Sequence, residues 1–205
     1  LNCYSKVFKP VLHFIIFVIP GDEMPHLKSR EITSIALLAA LWGVLNSIFS
    51  PIFFRMTGLP FLCDLIGFAV LSLTVWWTRK LGAPSIVGII ATVINFIFNP
   101  GGLHFLGFTA ASIAFDLITC IIGYDRIFRS ALATALSMIG TSIASAAVAG
   151  LIIGTFFMTG PALARWGGAL SWAGLHAVGG IIGGAVGVII ISALRIRGIS
   201  AAEKK

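Results

Sequence analysis

Charge is what this chain has least of. Only 10% of its residues are charged and seven are acidic, against roughly 25% charged in a soluble globular domain. Cysteine is scarce as well. Cys3, Cys63 and Cys120 lie far apart with no Cys-x-x-Cys pair, and support neither a disulfide framework nor a structural zinc site. A phosphate-cradling GxxxxGK[ST] loop is missing, so the chain by itself hydrolyses no nucleotide. HExxH, GxSxG and paired intramembrane aspartates are missing too, which leaves hydrolase chemistry without its residues. Neither an Arg-rich helix nor a selectivity-filter sequence is present, so voltage sensing and ion conduction lack their signatures. The expectation is a protein that is no enzyme and carries neither cofactor nor metal.

What the chain has instead is apolar sequence. Hydrophobic residues make up 58% of it, gathered into five or six runs long enough to cross a bilayer, each needing about 20 residues. Basic residues fall between these runs on alternate sides. Lys28, Arg30, Arg79, Lys80, Arg126, Arg129, Arg195, Arg197, Lys204 and Lys205 share one side, while Arg55 and Arg165 hold the other. Because short loops rich in Lys and Arg stay in the cytoplasm, the expected fold is an all-α, polytopic membrane protein. It has six transmembrane helices and both termini cytoplasmic. The same distribution accounts for the net charge of +7, so nucleic-acid binding is not inferred from it.

The expected helices cover 31–50, 61–77, the stretch between Pro84 and Asn99, 103–124, 130–157 and 170–194. A loop is expected over 51–60, which holds Pro51, Gly58 and Pro60. Trp76 and Trp77 stand where an interfacial aromatic belt belongs. The domain is expected over 28–199, followed by a basic cytoplasmic tail over 200–205. Residues 1–27 read as a poorly defined extension. Their apolar run 11–19 is too short to span and reads as an interfacial segment, as a signal-like h-region without a small-residue cleavage site, or, the favoured expectation, as lying ahead of a native start at Met24, with 1–23 from an extended reading frame or a non-AUG start. Small residues recur every fourth position at Ser142, Ala146, Gly150 and Gly154, and again at Gly179, Gly183 and Gly187, with Gly180 and Gly184 alongside. In lipid such faces let backbones approach closely, here as tight packing between the last two spans.

Polar side chains inside a span are expensive and mark function by default. At about 1.5 Å per residue, Asn46, Asp64, Asn95, Asn99, His104 and His176 come to one depth near the outer face, with Trp42, Trp166 and Trp172 in the outer half or outer loops. Asp64, Asn95, His104, His176, Asn46 and Trp172 are the candidate solute-binding residues. A carboxylate among amides, imidazoles and indoles suits a small polar or cationic solute. Each has a structural alternative. Asn99 suits a turn, Asn46 a cross-link between helices, His104 a headgroup contact and His176 a core hydrogen bond. Asp116 lies deeper, and is protonated, paired within the bundle or at a subunit contact.

With that pattern, the stretch from about 28 to 197 resembles a substrate-binding S component of an energy-coupling-factor (ECF) transporter. The resemblance rests on six short spans, both ends inside, and the Ala-rich first helix Ile35-Ala36-Leu37-Leu38-Ala39-Ala40-Leu41. Within that family, Arg79-Lys80-Leu81-Gly82-Ala83, Ile89-Ile90-Ala91 and Asn99-Pro100-Gly101-Gly102 are similar to the YkoE-type branch, linked to thiamine or its hydroxymethylpyrimidine precursor. The chain departs from that branch at Gly88, where an acidic residue would be expected. The resemblance implies a plasma-membrane subunit for vitamin uptake. Its partners would be the shared transmembrane T subunit, docked through Ala36 and Ala40, and two ATPase subunits. A nickel or cobalt S component, using His104, His176, Asp64 and Cys63, is the nearest alternative substrate class. A self-contained secondary transporter with Asp116 as coupling residue is another reading, and a pure membrane scaffold a third.

Overall fold

The computed structural model describes residues 28–199. These residues are helical apart from short connections and contain no strand among them. The expected extension 1–27, including the proposed start at Met24, and the tail 200–205 lie outside the described residues.

Helix α1 runs Ser29–Thr57, α2 Phe61–Thr78, α3 Ala83–Phe98, α4 Phe105–Ile122, and the single turn α5 Tyr124–Ile127. Helix α6 covers Ala131–Ile152 and widens into a π-helical turn over Ile153–Phe157, followed by the short α7 Gly160–Arg165 and the long α8 Ala169–Ile196. Among the described residues, five helical segments are long and apolar enough to cross a membrane: α1, α2, α4, α6 with its π turn, and α8. At 16 residues, α3 extends only about 24 Å.

Each long helix packs on the next in the order α1, α3, α4, α6, α8, α2, with α2 returning to α1 and also touching α3, α4 and α6. Helix α2 is therefore the most enclosed, and its buried residues Ile66, Phe68, Val70, Leu71, Val75 and Trp76 point all round the axis. A helix apolar on every side belongs in a core. Trp76 is part of that core at 2% exposure, not of an interfacial belt, and only Trp77 is left for that role. Outward-facing Leu37, Ile97, Leu132, Leu136 and Ile189 are exposed, as the lipid-facing sides of a membrane bundle require.

Two rows of glycines fix α8 in place. A methyl group on Gly183 or Gly187 would run into α2 at the Asp64 carbonyl and at Ser72; one on Gly180 or Gly184 would run into α6 at Ser142 and Ala146 or Ile139. Close approach through small residues replaces the missing hydrophobic drive between helices in lipid. The small faces of α6 and α8 thus serve packing within the chain. These pairings also set direction: α2 and α8 run parallel, α6 and α8 antiparallel.

The expected loop over 51–60 is in fact mostly helix, because α1 continues through Pro51 to Thr57. Proline has no N–H to give the carbonyl four residues back. Here the side chain of Asn99 donates to that carbonyl, Ser47 O, at 3.4 Å. The helix stops at Gly58, whose φ of 74° provides the left-handed cap and whose N–H bonds Phe54 O at 2.7 Å.

Contacts gather the basic residues at one end of the bundle. Lys80 pairs with Glu31 at 2.6 Å, Arg30 lies over Trp77 at 4.8 Å, and Arg79 and Arg195 both lie over Phe128. Trp166, Trp172 and Phe54 meet at the opposite end.

Candidate functional site

Near the Trp-rich end, Asp64 from the first turn of α2 meets His176 from the second turn of α8. Nδ1 of His176 lies 2.9 Å from Oδ1 of Asp64, with both side chains almost fully buried. The fold forces this proximity. Gly179, one turn beyond His176, has no Cβ because the Asp64 carboxyl occupies that space. Likewise Gly150 on α6 leaves room for the His176 ring.

Aromatic rings wall the pair. Trp172 and Phe108 meet the His176 ring edge-on, with centroids 5.4 and 5.8 Å away. Trp42 stands edge-on to Phe108 at 6.3 Å, its indole against the bare backbone of Gly67. Trp166, from the connection after α7, covers Trp172 at 5.6 Å. In this setting Asp64 Oδ2, His176 Nε2, Trp42 Nε1 and Trp172 Nε1 are buried with no hydrogen-bond partner among the described residues. Buried polar groups are normally satisfied, so four such atoms on and around one Asp–His pair form a built but chemically unsaturated site. It offers a carboxylate acceptor, two N–H donors and an imidazole nitrogen whose role depends on tautomer.

The other candidates divide. Asn46 and Asn95 are buried and spent on each other. Asn46 Nδ2 donates to Asn95 Oδ1 at 3.4 Å, Ser47 Oγ donates to the same oxygen at 2.9 Å, and Ser50 Oγ donates to Asn46 Oδ1 at 2.5 Å. Asn95 Nδ2 donates to Ala91 O at 2.8 Å. This network ties α1 to α3, the cross-linking alternative for Asn46. His104 is exposed at the start of α4, its ring against Phe105 at 4.3 Å, within electrostatic range of His176 but outside the pair. Asp116 is at the basic end. Its Oδ2 accepts from Gly82 N at 2.8 Å, Ser85 Oγ at 2.7 Å and Ser85 N at 3.4 Å, capping the start of α3. Of the three readings for Asp116, pairing within the bundle is the one seen. Ala36 and Ala40 lie on the outward face of α1. Gly88 packs so closely on Ser112 that no side chain fits there.

No three His, Cys, Asp or Glu side chains among the described residues come together as a metal-binding group, so the set His104, His176, Asp64 and Cys63 is not assembled. By sequence, Trp42 is placed only by depth, and Phe108 and Gly179 are not among the site candidates. Gly179 carried a signal, its four-residue spacing. Phe108 carried none. Comparison with protein-family models, curated proteins and solved structures finds no match for this chain.

Proposed function

We propose that this chain is the solute-binding membrane subunit, an S component, of an ATP-driven importer of the energy-coupling-factor type. The observation that carries the reading is the buried Asp64–His176 pair, walled by Trp42, Phe108 and Trp172, with four polar atoms left unpaired. An intramembrane carboxyl with an open oxygen is costly unless something binds it. A solute with a cationic or N–H face toward Asp64, an acceptor toward the indoles and a flat ring for stacking would meet that demand. Thiamine or hydroxymethylpyrimidine has that character, and a small water-soluble vitamin or precursor is the substrate class.

In this reading the chain crosses the plasma membrane six times with both ends in the cytoplasm. Helix α3 is short, but its place between α1 and α4 supports counting it as a span. The parallel run of α2 and α8 supports an even count, and the shared basic end fits the cytoplasmic side. The chain does no chemistry on the solute. A T subunit docks on the outward face of α1 at Ala36 and Ala40, and two ATPase subunits drive release inward.

The test is co-purification with solute identification, followed by Ala36→Leu/Ala40→Leu. Both alanines face outward, so the substitution leaves folding and solute binding by the isolated chain intact. Expected is loss of T-subunit association and of uptake. Unchanged uptake in the double variant overturns the reading.

A further inference from the structure

The basic end holds a feature that solute binding does not use. Arg79, at the C-terminal cap of α2, and Arg195, in the last turn of α8, lie over the same ring. Their guanidinium carbons are 5.1 and 5.5 Å from the centroid of Phe128. Both side chains are half-buried and near enough to repel each other. The buried Nε of Arg79 has no hydrogen-bond partner among the described residues. Arg195 Nη1 has a long hydrogen bond of 3.5 Å to the hydroxyl of Thr134, and that hydroxyl already bonds the Ile127 and Ser130 carbonyls. The Lys80–Glu31 ion pair and the His176–Asp64 contact use neither arginine.

Sorting by charge between loops explains why arginines stand at this end, but not why two of them fold onto one ring. A solvated arginine extends into water. Two that converge lose hydration and gain mutual repulsion, an arrangement that an anion between them offsets. The planar guanidinium matches phosphate oxygens two at a time, and basic pockets between transmembrane helices hold lipid headgroups at this depth. The exposed Asp125 on α5 is the acidic residue of the same connection. We propose that Arg79 and Arg195, with Phe128 as the floor between them, form a site for a phosphate-type anion, carried by an anionic lipid headgroup or by free phosphate. The site is independent of the Asp64–His176 pair and holds whatever the solute proves to be.

Native mass spectrometry of the full chain, released from neutral detergent with added phosphatidylglycerol or phosphatidylcholine, tests it. Expected is at least fivefold greater retention of phosphatidylglycerol. Arg79→Gln/Arg195→Gln should abolish this preference, while Arg126→Gln/Arg129→Gln, which removes the same charge from the same end, leaves it within twofold. A thermal-shift titration with inorganic phosphate separates the sources. Stabilisation by phosphate without a lipid preference, lost in Arg195→Gln, supports the site with free phosphate as its occupant. Equal retention of both lipids with no phosphate effect overturns the proposal, and so does an equal loss in the control pair. The lipid and phosphate comparisons on the parent chain need no variant, so a double variant that fails to fold leaves the proposal open to refutation.

Discussion

Glu31, Asp64 and Asp116 are buried among the described residues; Glu31 pairs with Lys80, and the surroundings of the two aspartates, one near each end of the bundle, differ in kind. Asp116 faces the first turn of α3, and one of its oxygens collects two backbone N–H groups and a serine hydroxyl. A helix start has free N–H groups and a positive dipole end, so a carboxyl there completes the fold. Among the described residues Asp64 meets no backbone donor for its carboxyl. Its hydrogen-bond partner is an imidazole that itself keeps a nitrogen open, and around both stand indoles with unpaired N–H groups. Each carboxyl has one oxygen without a partner. The neighbours separate them: backbone donors make a cap, whereas unsaturated side chains make a receptor.

The sharpest break of that comparison comes from Asp116. Replacing it with Ala leaves the half-buried N–H of Gly82 and the Ser85 hydroxyl without that acceptor. Hydrogen bonds to a charged group contribute about 1.5–3 kcal/mol each, so Asp116→Ala should destabilise the chain by about 3 kcal/mol. Solute affinity per folded molecule should be unchanged. Thermal unfolding in detergent and calorimetry read the two quantities separately. Lost affinity in the molecules that remain folded would move Asp116 into the binding machinery.

Asp64→Asn makes the converse case. The amide oxygen can still accept from His176 Nδ1, so the pair keeps its geometry and loses its charge. Stability should change by under about 1 kcal/mol, whereas solute binding should weaken by about 1.5–3 kcal/mol. If the Asn chain binds the identified solute as tightly as the parent, Asp64 is a packing group like Asp116 and the contrast collapses.

A smaller effect probes how Asp64 is held. Gly179→Ala puts a methyl group where the Asp64 carboxyl now lies, and overpacking of that kind costs about 1–3 kcal/mol. The expected result is about 1.5 kcal/mol of lost stability with weakened binding. Gly174→Ala, on the same helix with open space at its Cβ, should change neither. Equal effects at the two positions would show that α8 responds to lost glycine flexibility and not to crowding at the site.

Much of this was readable along the chain. Long apolar runs gave the helices, and the glycine spacing of α8 gave its close packing. Asp64 and His176 stood out singly, since each is polar within an apolar run. Their pairing was not legible, because the two are 112 residues apart and meet only through the way α2 and α8 dock. The continuation of α1 through Pro51 was hidden for a similar reason. The donor that replaces the missing N–H comes from Asn99, the residue that follows α3, and Pro-Gly punctuation read locally signals a loop. Trp76 misled in the same way: one helix turn from a charged terminus suits an interface, yet on the innermost helix it is core. Helix existence follows local periodicity, whereas partners follow assembly.

The amide cluster sets the lower limit of the comparison. Asn46 and Asn95 share the outer depth with Asp64, so depth alone made them equal candidates. Their hydrogen bonds, however, end on each other, on Ser47 and Ser50, and on the Ala91 carbonyl. A group whose bonding is complete has little left to give a solute. Side-chain hydrogen bonds between membrane helices contribute about 0.6 kcal/mol on average, since the separated helices find other partners. Asn95→Ala removes two such contacts, leaves Ser47 Oγ its bond to Gly43 O, and frees Asn46 Nδ2. The expected loss is about 1 kcal/mol of stability, with solute affinity within twofold of the parent. Unfolding midpoints and calorimetry on the same preparation check both halves. A tenfold loss of affinity would extend the receptor from α2 and α8 across to α3, and full occupancy of its hydrogen bonds would then no longer separate a cross-link from a ligand contact.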